Sequence, residues 1–467
     1  MNTKIMTVAA MLAAYACIVG ASAPQTDTVK LVDFQQKATA QAAMMTKAYQ
    51  SQVQAKGQAV TVTLPQSIAL ALQNNRSLHQ SQWEYEAAAA QVGVATSGRN
   101  PSVSYLYKAD HTDTEVKKTN TFSHALKLDV SLFNRALGAQ IEVAKYNRDG
   151  SGAALTEAAQ TAKLTATTNY LSLIMSRNKV SVAEQTVRDY EEHLKNANLQ
   201  YQVGIVSKSD VLATNTRLAN AKTTLVEAKN AASLAEAKFN NHVGLPVSIP
   251  IVTADKELTY VPYGISLESA KSYGVAHRGT IVQAAMAVKS AEENVSRVDA
   301  SDIPVVNASA SRAMNGTHWA GNDNKNWSVG ATLSWNLWDG GQSKANVSNA
   351  KANLEKAKEA YAQTIDTVEL QVQEAYLNLK AAEQKIQSTH AAVEAGQEDF
   401  RIKTLRYRSG VGTNVDVLDA ETALATARNN YVDALYNYNL SMATLEKAMG
   451  IPVVAAVGSG VKFVNQG

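Results

Sequence analysis

Apolar and polar residues alternate one by one along four short stretches of this chain. In the clearest, Trp327, Val329, Ala331, Leu333, Trp335 and Leu337 are separated by Ser328, Gly330, Thr332, Ser334 and Asn336. Another sets Leu126, Leu128, Val130 and Leu132 against Lys127, Asp129 and Ser131. Val103, Tyr105 and Tyr107 alternate with Ser102 and Ser104, and more weakly Val306, Ala308 and Ala310 with Asn307 and Ser309. Period two predicts strands with one apolar and one polar face, at about 101–108, 124–132, 304–311 and 327–337. Such strands suit a soluble sheet lying on a helical core. They also suit a membrane barrel, whose tilted strands of about ten residues turn their apolar faces outward. Four strands cannot close a barrel, and open edges do not survive in hydrocarbon, so the membrane reading needs several chains to pool strands. Three chains would give twelve. Polar, turn-rich stretches 109–122 and 312–326 read as the joining loops.

The rest of the pattern is helical. The eight prolines leave 102–245 and 305–451 free of helix breakers. Long helices are expected at about 135–202 and 342–408, and medium ones at about 66–98, 207–243, 267–300 and 413–449. At a rise of 1.5 Å per residue each long helix would extend roughly 100 Å. Two medium helices stacked end to end match one long helix, so each half reads as a pair of parallel columns. Their surfaces are rich in alanine, as at Ala87 to Ala90. Small side chains bury little area each, at about 25 cal/mol per Å², so such columns favour neighbours and an oligomer.

The two halves are copies of each other. Tyr201-Gln202-Val203-Gly204 recurs as Tyr407-Arg408-Ser409-Gly410, and Asp210, Leu212, Leu218 and Gly244 recur as Asp416, Leu418, Leu424 and Gly450. Pro101 matches Pro304, and Arg76 matches Arg278. The expected organisation is a leader at 1–23, a segment at 24–63, a first repeat at 64–246, a connector at 247–264, a second repeat at 265–452 and a tail at 453–467. Segments 24–63, 247–264 and 451–467 would gather mid-column as a belt.

The leader has Lys4, an apolar run and Ala21-Ser22-Ala23, the pattern of an export signal. Its Cys17, the sole cysteine, either leaves with the leader or becomes a lipid attachment point. No later stretch is long and apolar enough for a membrane helix. A net charge of +3 gives no argument for nucleic acid. The eight histidines are scattered without metal-ligand spacing, and no nucleophile with a partner base can be assembled. No enzyme activity, metal or cofactor is expected.

What chemistry there is lies at the two glycine tips. Ser207-Lys208-Ser209-Asp210 and Thr413-Asn414-Val415-Asp416 fit the helix-start pattern, which predicts that Asp210 and Asp416 cap helices. Asp419 stands three residues after Asp416 on the same face, where the first copy has Ala213. It reads either as a surface acid or, if several chains meet there, as part of a carboxylate ring that selects cations. Tyr201 and Tyr407 either pack across their hairpins or hydrogen-bond between neighbouring ones.

With the duplication, the Tyr-x-x-Gly tips, Val415-Asp416-Val417-Leu418-Asp419-Ala420, Trp338-Asp339-Gly340-Gly341 and Gly-x-Pro at each half's end, the chain resembles the TolC family of outer-membrane efflux proteins over residues 60–455. The resemblance implies a homotrimer with a twelve-stranded barrel in the outer membrane and an α-barrel through the periplasm. It implies a passive exit channel for efflux or type I secretion. Its partners would be outer-membrane lipid, a periplasmic adaptor and an inner-membrane pump of RND, ABC or MFS type. Asp416 and Asp419 would be the aperture carboxylates, with Asp210 and Tyr407 in the closing network. Gly204, Ser207, Gly410 and Thr413 would lie in the tips that meet the adaptor. Some members carry a latching arginine two residues after the second tip glycine; here that residue is Gly412, leaving Arg408 or Lys208 as substitutes. A structural or adhesive coiled coil of the envelope is the alternative.

Overall fold

The computed structural model describes residues 60–319 and 323–451. The leader, Cys17, Pro452 and the segments at 24–59 and 453–467 lie outside the described residues. Contacts divide the chain into two units, the smaller holding Val60 and Ile249–Val252 among the described residues and the larger holding both repeats.

The described elements run in chain order as β1 (Val60–Val62), α1 (Leu64–Asn74), α2 (Arg76–Ser97), β2 (Ser102–Asp113), β3 (Lys118–Phe133), α3 (Arg135–Gln202) and α4 (Lys208–Val243). Then come β4 (Ile251–Thr253), α5 (Leu267–His277), α6 (Gly279–Asp299), β5 (Val305–Gly316), β6 (Asn324–Ser334), α7 (Gln342–Arg408) and α8 (Asn414–Met449). From α1 onward the order α-α-β-β-α-α occurs twice.

The strands of the larger unit are antiparallel neighbours in the order β2-β3-β5-β6. Their register explains the alternation. Val103, Leu128, Ala310 and Val329 lie side by side, and the next row on that face is Tyr105, Leu126, Arg312 and Trp327. The opposite face is built from rows such as Ser104, Lys127, Ser311 and Ser328. Opposed residues of an antiparallel pair share a face, so one side of the sheet is apolar and the other polar. The apolar side is not covered by the described residues: Val103, Tyr105, Trp327, Val329 and Leu333 are all exposed.

The hairpins are longer than the alternation predicts. The expected loop 109–122 shrinks to a turn in which the amide and carbonyl groups of Thr114 and Lys117 pair. Polar cross-strand partners carry the ladder there, such as His111 with Asn120 (2.6 Å) and Lys118 with Asp113 (2.8 Å). Likewise β5 runs to Gly316. At its other end β6 stops at Ser334, so Trp335 and Leu337 belong to the connector, where the Trp335 indole donates to the Asp302 carbonyl (3.0 Å). Gly340 and Gly341, at φ +71° and +91°, then turn the chain into α7. The Asp339 carboxylate accepts from the amides of Gly341 (3.0 Å) and Ser343 (2.7 Å).

Both long helices have their expected bounds, while each expected helix before a hairpin is two. Asn75 and Arg278 adopt extended backbone (ψ 114° and 124°) and end one helix while starting the next. These breaks are equivalent points of the repeat, so Asn75, not Arg76, is the counterpart of Arg278. Asn75 caps α2 with its own side chain (3.0 Å to the Leu78 amide). Arg278 caps nothing and instead reaches into the core. Its guanidinium donates to the Lys447 carbonyl and to Gln371 (3.3 Å), and pairs with Glu157 at 3.0 Å. The C-terminal ends of α4 and α8 meet these breaks. Asn74 donates to the Val243 carbonyl (3.0 Å), and Gly450 turns away at φ +72° where a Cβ would lie 2.9 Å from the His277 carbonyl. The medium helices therefore stack as two-part columns beside α3 and α7. The two pairs also join, because α8 packs against α3.

Candidate functional site

At the far end of α3 and α7 from the sheet, the two tip turns share one geometry. Gly204 and Gly410 sit at φ +78° and +75°, conformations in which a side chain is strained. The Ile205 amide donates to the Gln200 carbonyl (2.9 Å), and Val411 repeats this to Arg406 (3.0 Å). Both following helices open with a capping box. Asp210 accepts from the Ser207 amide (3.0 Å) and hydroxyl (2.7 Å); Asp416 accepts from those of Thr413 (3.3 and 2.6 Å). The bonds from Thr413, first its hydroxyl and then its amide, hold the Asp416 carboxyl below the usual carboxylate range.

Gly412 has a different reason to be glycine. A Cβ there would lie 2.9 Å from the Tyr407 amide nitrogen and 3.1 Å from Arg406, so an arginine cannot occupy this turn without moving it. The ion pair comes from Arg408, whose guanidinium contacts Glu192 on α3. Asp419 pairs with Arg217 of α4 (3.7 Å), and Arg428 of α8 approaches Asp189 of α3 (3.9 Å). All three pairs run from the second half to the first.

Tyr407 is buried and Tyr201 is exposed, so the repeat equivalents differ. The Tyr407 ring tilts against His193 with centroids 4.9 Å apart, and its hydroxyl has no hydrogen-bond partner. Burial first, and the Asp210 charge second, push that hydroxyl's pKa up. Within the chain Asp210 and Tyr407 are thus electrostatic neighbours without a hydrogen bond between them. Asp416 and Asp419 are both exposed on one face of α8.

Sequence reasoning passed over the residue at the centre of the tip. Asn414 is buried, and its Oδ1 accepts from His193 Nε2 (2.7 Å) and from the Thr214 hydroxyl (3.1 Å). Its Nδ2 donates to the Asp210 carbonyl (3.1 Å). One side chain at the start of α8 therefore ties α3 to α4. Burial lowers the His193 pKa, keeping the ring neutral near pH 7, and a proton on Nε2 is the tautomer that the acceptor Oδ1 of Asn414 favours. Two turns along, the Tyr190 hydroxyl donates to the Leu418 carbonyl (3.4 Å) and pairs with Thr422 (3.1 Å). Val187, Tyr190, Leu218, Ala221 and Leu418 form a small core beneath it. The only available signal was that Asn414 replaces Lys208 of the first copy, beside a histidine with no metal-site spacing.

The chain matches the family model described as outer membrane efflux protein twice, over residues 67–245 and 275–451. It is 23% identical over 407 residues to the outer membrane protein TolC of Escherichia coli, covering 81% of this chain and 80% of that protein. It is 22% identical to the alkaline protease secretion protein AprF of Pseudomonas aeruginosa, covering 82% and 83%. Among solved structures, the outer membrane protein VceC of Vibrio cholerae superposes with a TM-score of 0.72 at 18% identity, covering 83% of this chain and 96% of that one.

Proposed function

Because this chain belongs to the outer membrane efflux protein family, we propose that three copies pool their sheets into a twelve-stranded barrel and their helices into one tube. The chain is an outer-membrane exit channel for efflux or type I secretion, and it works with an adaptor and an inner-membrane pump. The observation that carries the trimeric reading is the sheet. Among the described residues it has two unpaired edges, β2 and β6, and an uncovered apolar face. Closing the edges against neighbouring chains, with lipid on the apolar face, satisfies both. Conduction is passive, and energy enters through the pump.

The gate is the second tip. Outward movement of α7 and α8 away from α3 and α4 widens the mouth, and the contacts around Asn414 oppose it. Asp416 and Asp419 are the aperture carboxylates that attract cations. Asp210 and Tyr407 belong to the closing network. Gly204, Ser207, Gly410 and Thr413 shape the ends offered to the adaptor. The test is conductance of the detergent-purified protein in planar bilayers, with its mass in detergent. A trimer with discrete conductance steps is expected. A monomeric, silent protein would favour the structural coiled-coil reading.

A further inference from the structure

Glu421 lies on α8 two turns past the tip and is 1% exposed. Both its carboxylate oxygens are buried without a hydrogen-bond partner. The side chain faces α3, where the buried Thr186 hydroxyl lies beside it and Asp189 adds a like charge. Burial disfavours the carboxylate against its neutral form more strongly than the Thr186 hydroxyl and the Arg428 charge favour it. A neutral carboxyl brings its own donor, which Thr186 can accept.

The surrounding charges do not rescue the anion. On α3, Asp189 is itself held by Gln185 (2.7 Å), and the Tyr190 hydroxyl is engaged with α8. On α8, Arg428 approaches Asp189 at 3.9 Å and Asp419 is turned to Arg217 of α4. On α7, Gly396 meets Leu424, which brings Asp399 and Lys403 to the level of Glu421; these two pair with each other at 3.0 Å. Burial first, and the Asp189 charge second, push the Glu421 carboxyl up to about 8.

We propose that Glu421 is a proton-binding site that clamps the second tip hairpin to α3: with the proton the contact holds, and without it the helices part and the mouth widens. This rests on the second tip being the gate. The sign follows from linkage. Opening exposes the carboxyl and returns it to its ordinary range, so opening releases a proton and is favoured as pH rises. The open-to-closed ratio grows by up to about tenfold per pH unit between roughly 5 and 8, then levels off.

The test is single-channel recording from the full-length protein between pH 5 and 9. Wild type should show this rise and plateau, while Glu421→Gln, a neutral mimic, stays near its acid value throughout. Asp189→Asn removes the like charge and should move the plateau to lower pH. Equal pH dependence in wild type and Glu421→Gln overturns the proton site while leaving the channel intact. Absence of conductance in every variant overturns the gating reading instead. Infrared spectra give an arm independent of conduction. A protonated-carboxyl band present in wild type at pH 7 and missing from Glu421→Gln is expected, and no such difference overturns the proposal.

Discussion

Replacing Asn414 by alanine isolates what one side chain contributes to closing the tip. The change removes two bonds accepted by Oδ1 and one donated by Nδ2, at 2.7, 3.1 and 3.1 Å. Each net hydrogen bond contributes about 0.5–1.5 kcal/mol, and the single Thr214 proton is shared with the Asp210 carbonyl, so the set contributes about 2 kcal/mol. Thr214 retains a bond to the Asp210 carbonyl (2.9 Å), so its hydroxyl keeps an acceptor. His193 is 5% exposed and loses the partner of Nε2, which keeps the figure from falling lower. If α8 leaves α3 and α4 on opening, closure loses about 2 kcal/mol and the open-to-closed ratio rises about thirtyfold. Open probability of Asn414→Ala in planar bilayers measures this, beside Arg408→Ala as a surface control. A ratio within about threefold of wild type, equivalent to about 0.6 kcal/mol, refutes the assignment of Asn414 to the gate.

Arg408→Ala itself breaks only the exposed pair with Glu192, and such pairs contribute about 1 kcal/mol at most. Its open-to-closed ratio should therefore change by less than about tenfold, a difference recorded in the same bilayers. Exchanging Asp416 and Asp419 for asparagine should weaken block by divalent or trivalent cations. Because Thr413 depresses the Asp416 carboxyl, its charge survives as pH falls through the ordinary carboxylate range. Block that persists in acid should therefore vanish in Asp416→Asn alone, as a blocker titration would show. Arg278→Ala removes a buried guanidinium and leaves the half-buried Glu157 without its partner, and should cost about 3 kcal/mol of stability, read as loss of folded protein on thermal melting.

The long helices, the glycine tips and the capping acids were legible because each leaves a local mark: absent prolines, a φ that needs glycine, a Thr-x-x-Asp box. The breaks at Asn75 and Arg278 leave only weak marks, an asparagine that can start a helix and a glycine after Arg278. Neither residue stops a helix by itself, and the guanidinium of Arg278 is anchored to Gln371 and Glu157, far away in sequence. The polar ends of β2 and β3 escaped for a related reason. Beyond Lys108 the residues are mostly polar on both faces, so alternation stops while cross-strand pairs such as His111 with Asn120 continue. Asn414, His193 and Glu421 were invisible for a third reason. Each is ordinary on its own helix, and its role exists only where α8 meets α3.

That meeting also separates the two copies of the tip. On α8 the grip on α3 uses Asn414, Leu418, Glu421 and Arg428. The corresponding residues of α4, by the same repeat, are Lys208, Leu212, Asn215 and Lys222, and within one chain all four are exposed. The two hairpins have one shape, but only the second buries this face inside its own chain. In a ring of three, the free face of α4 would meet α7 of the neighbouring copy, as α8 meets α3 here, and so give six related contacts. Three of those would carry Glu421 and three would carry Asn215, which cannot ionise. A proton-linked gate would then open at alternate contacts around the mouth, with the Asn215 contacts holding the ring together as the others part.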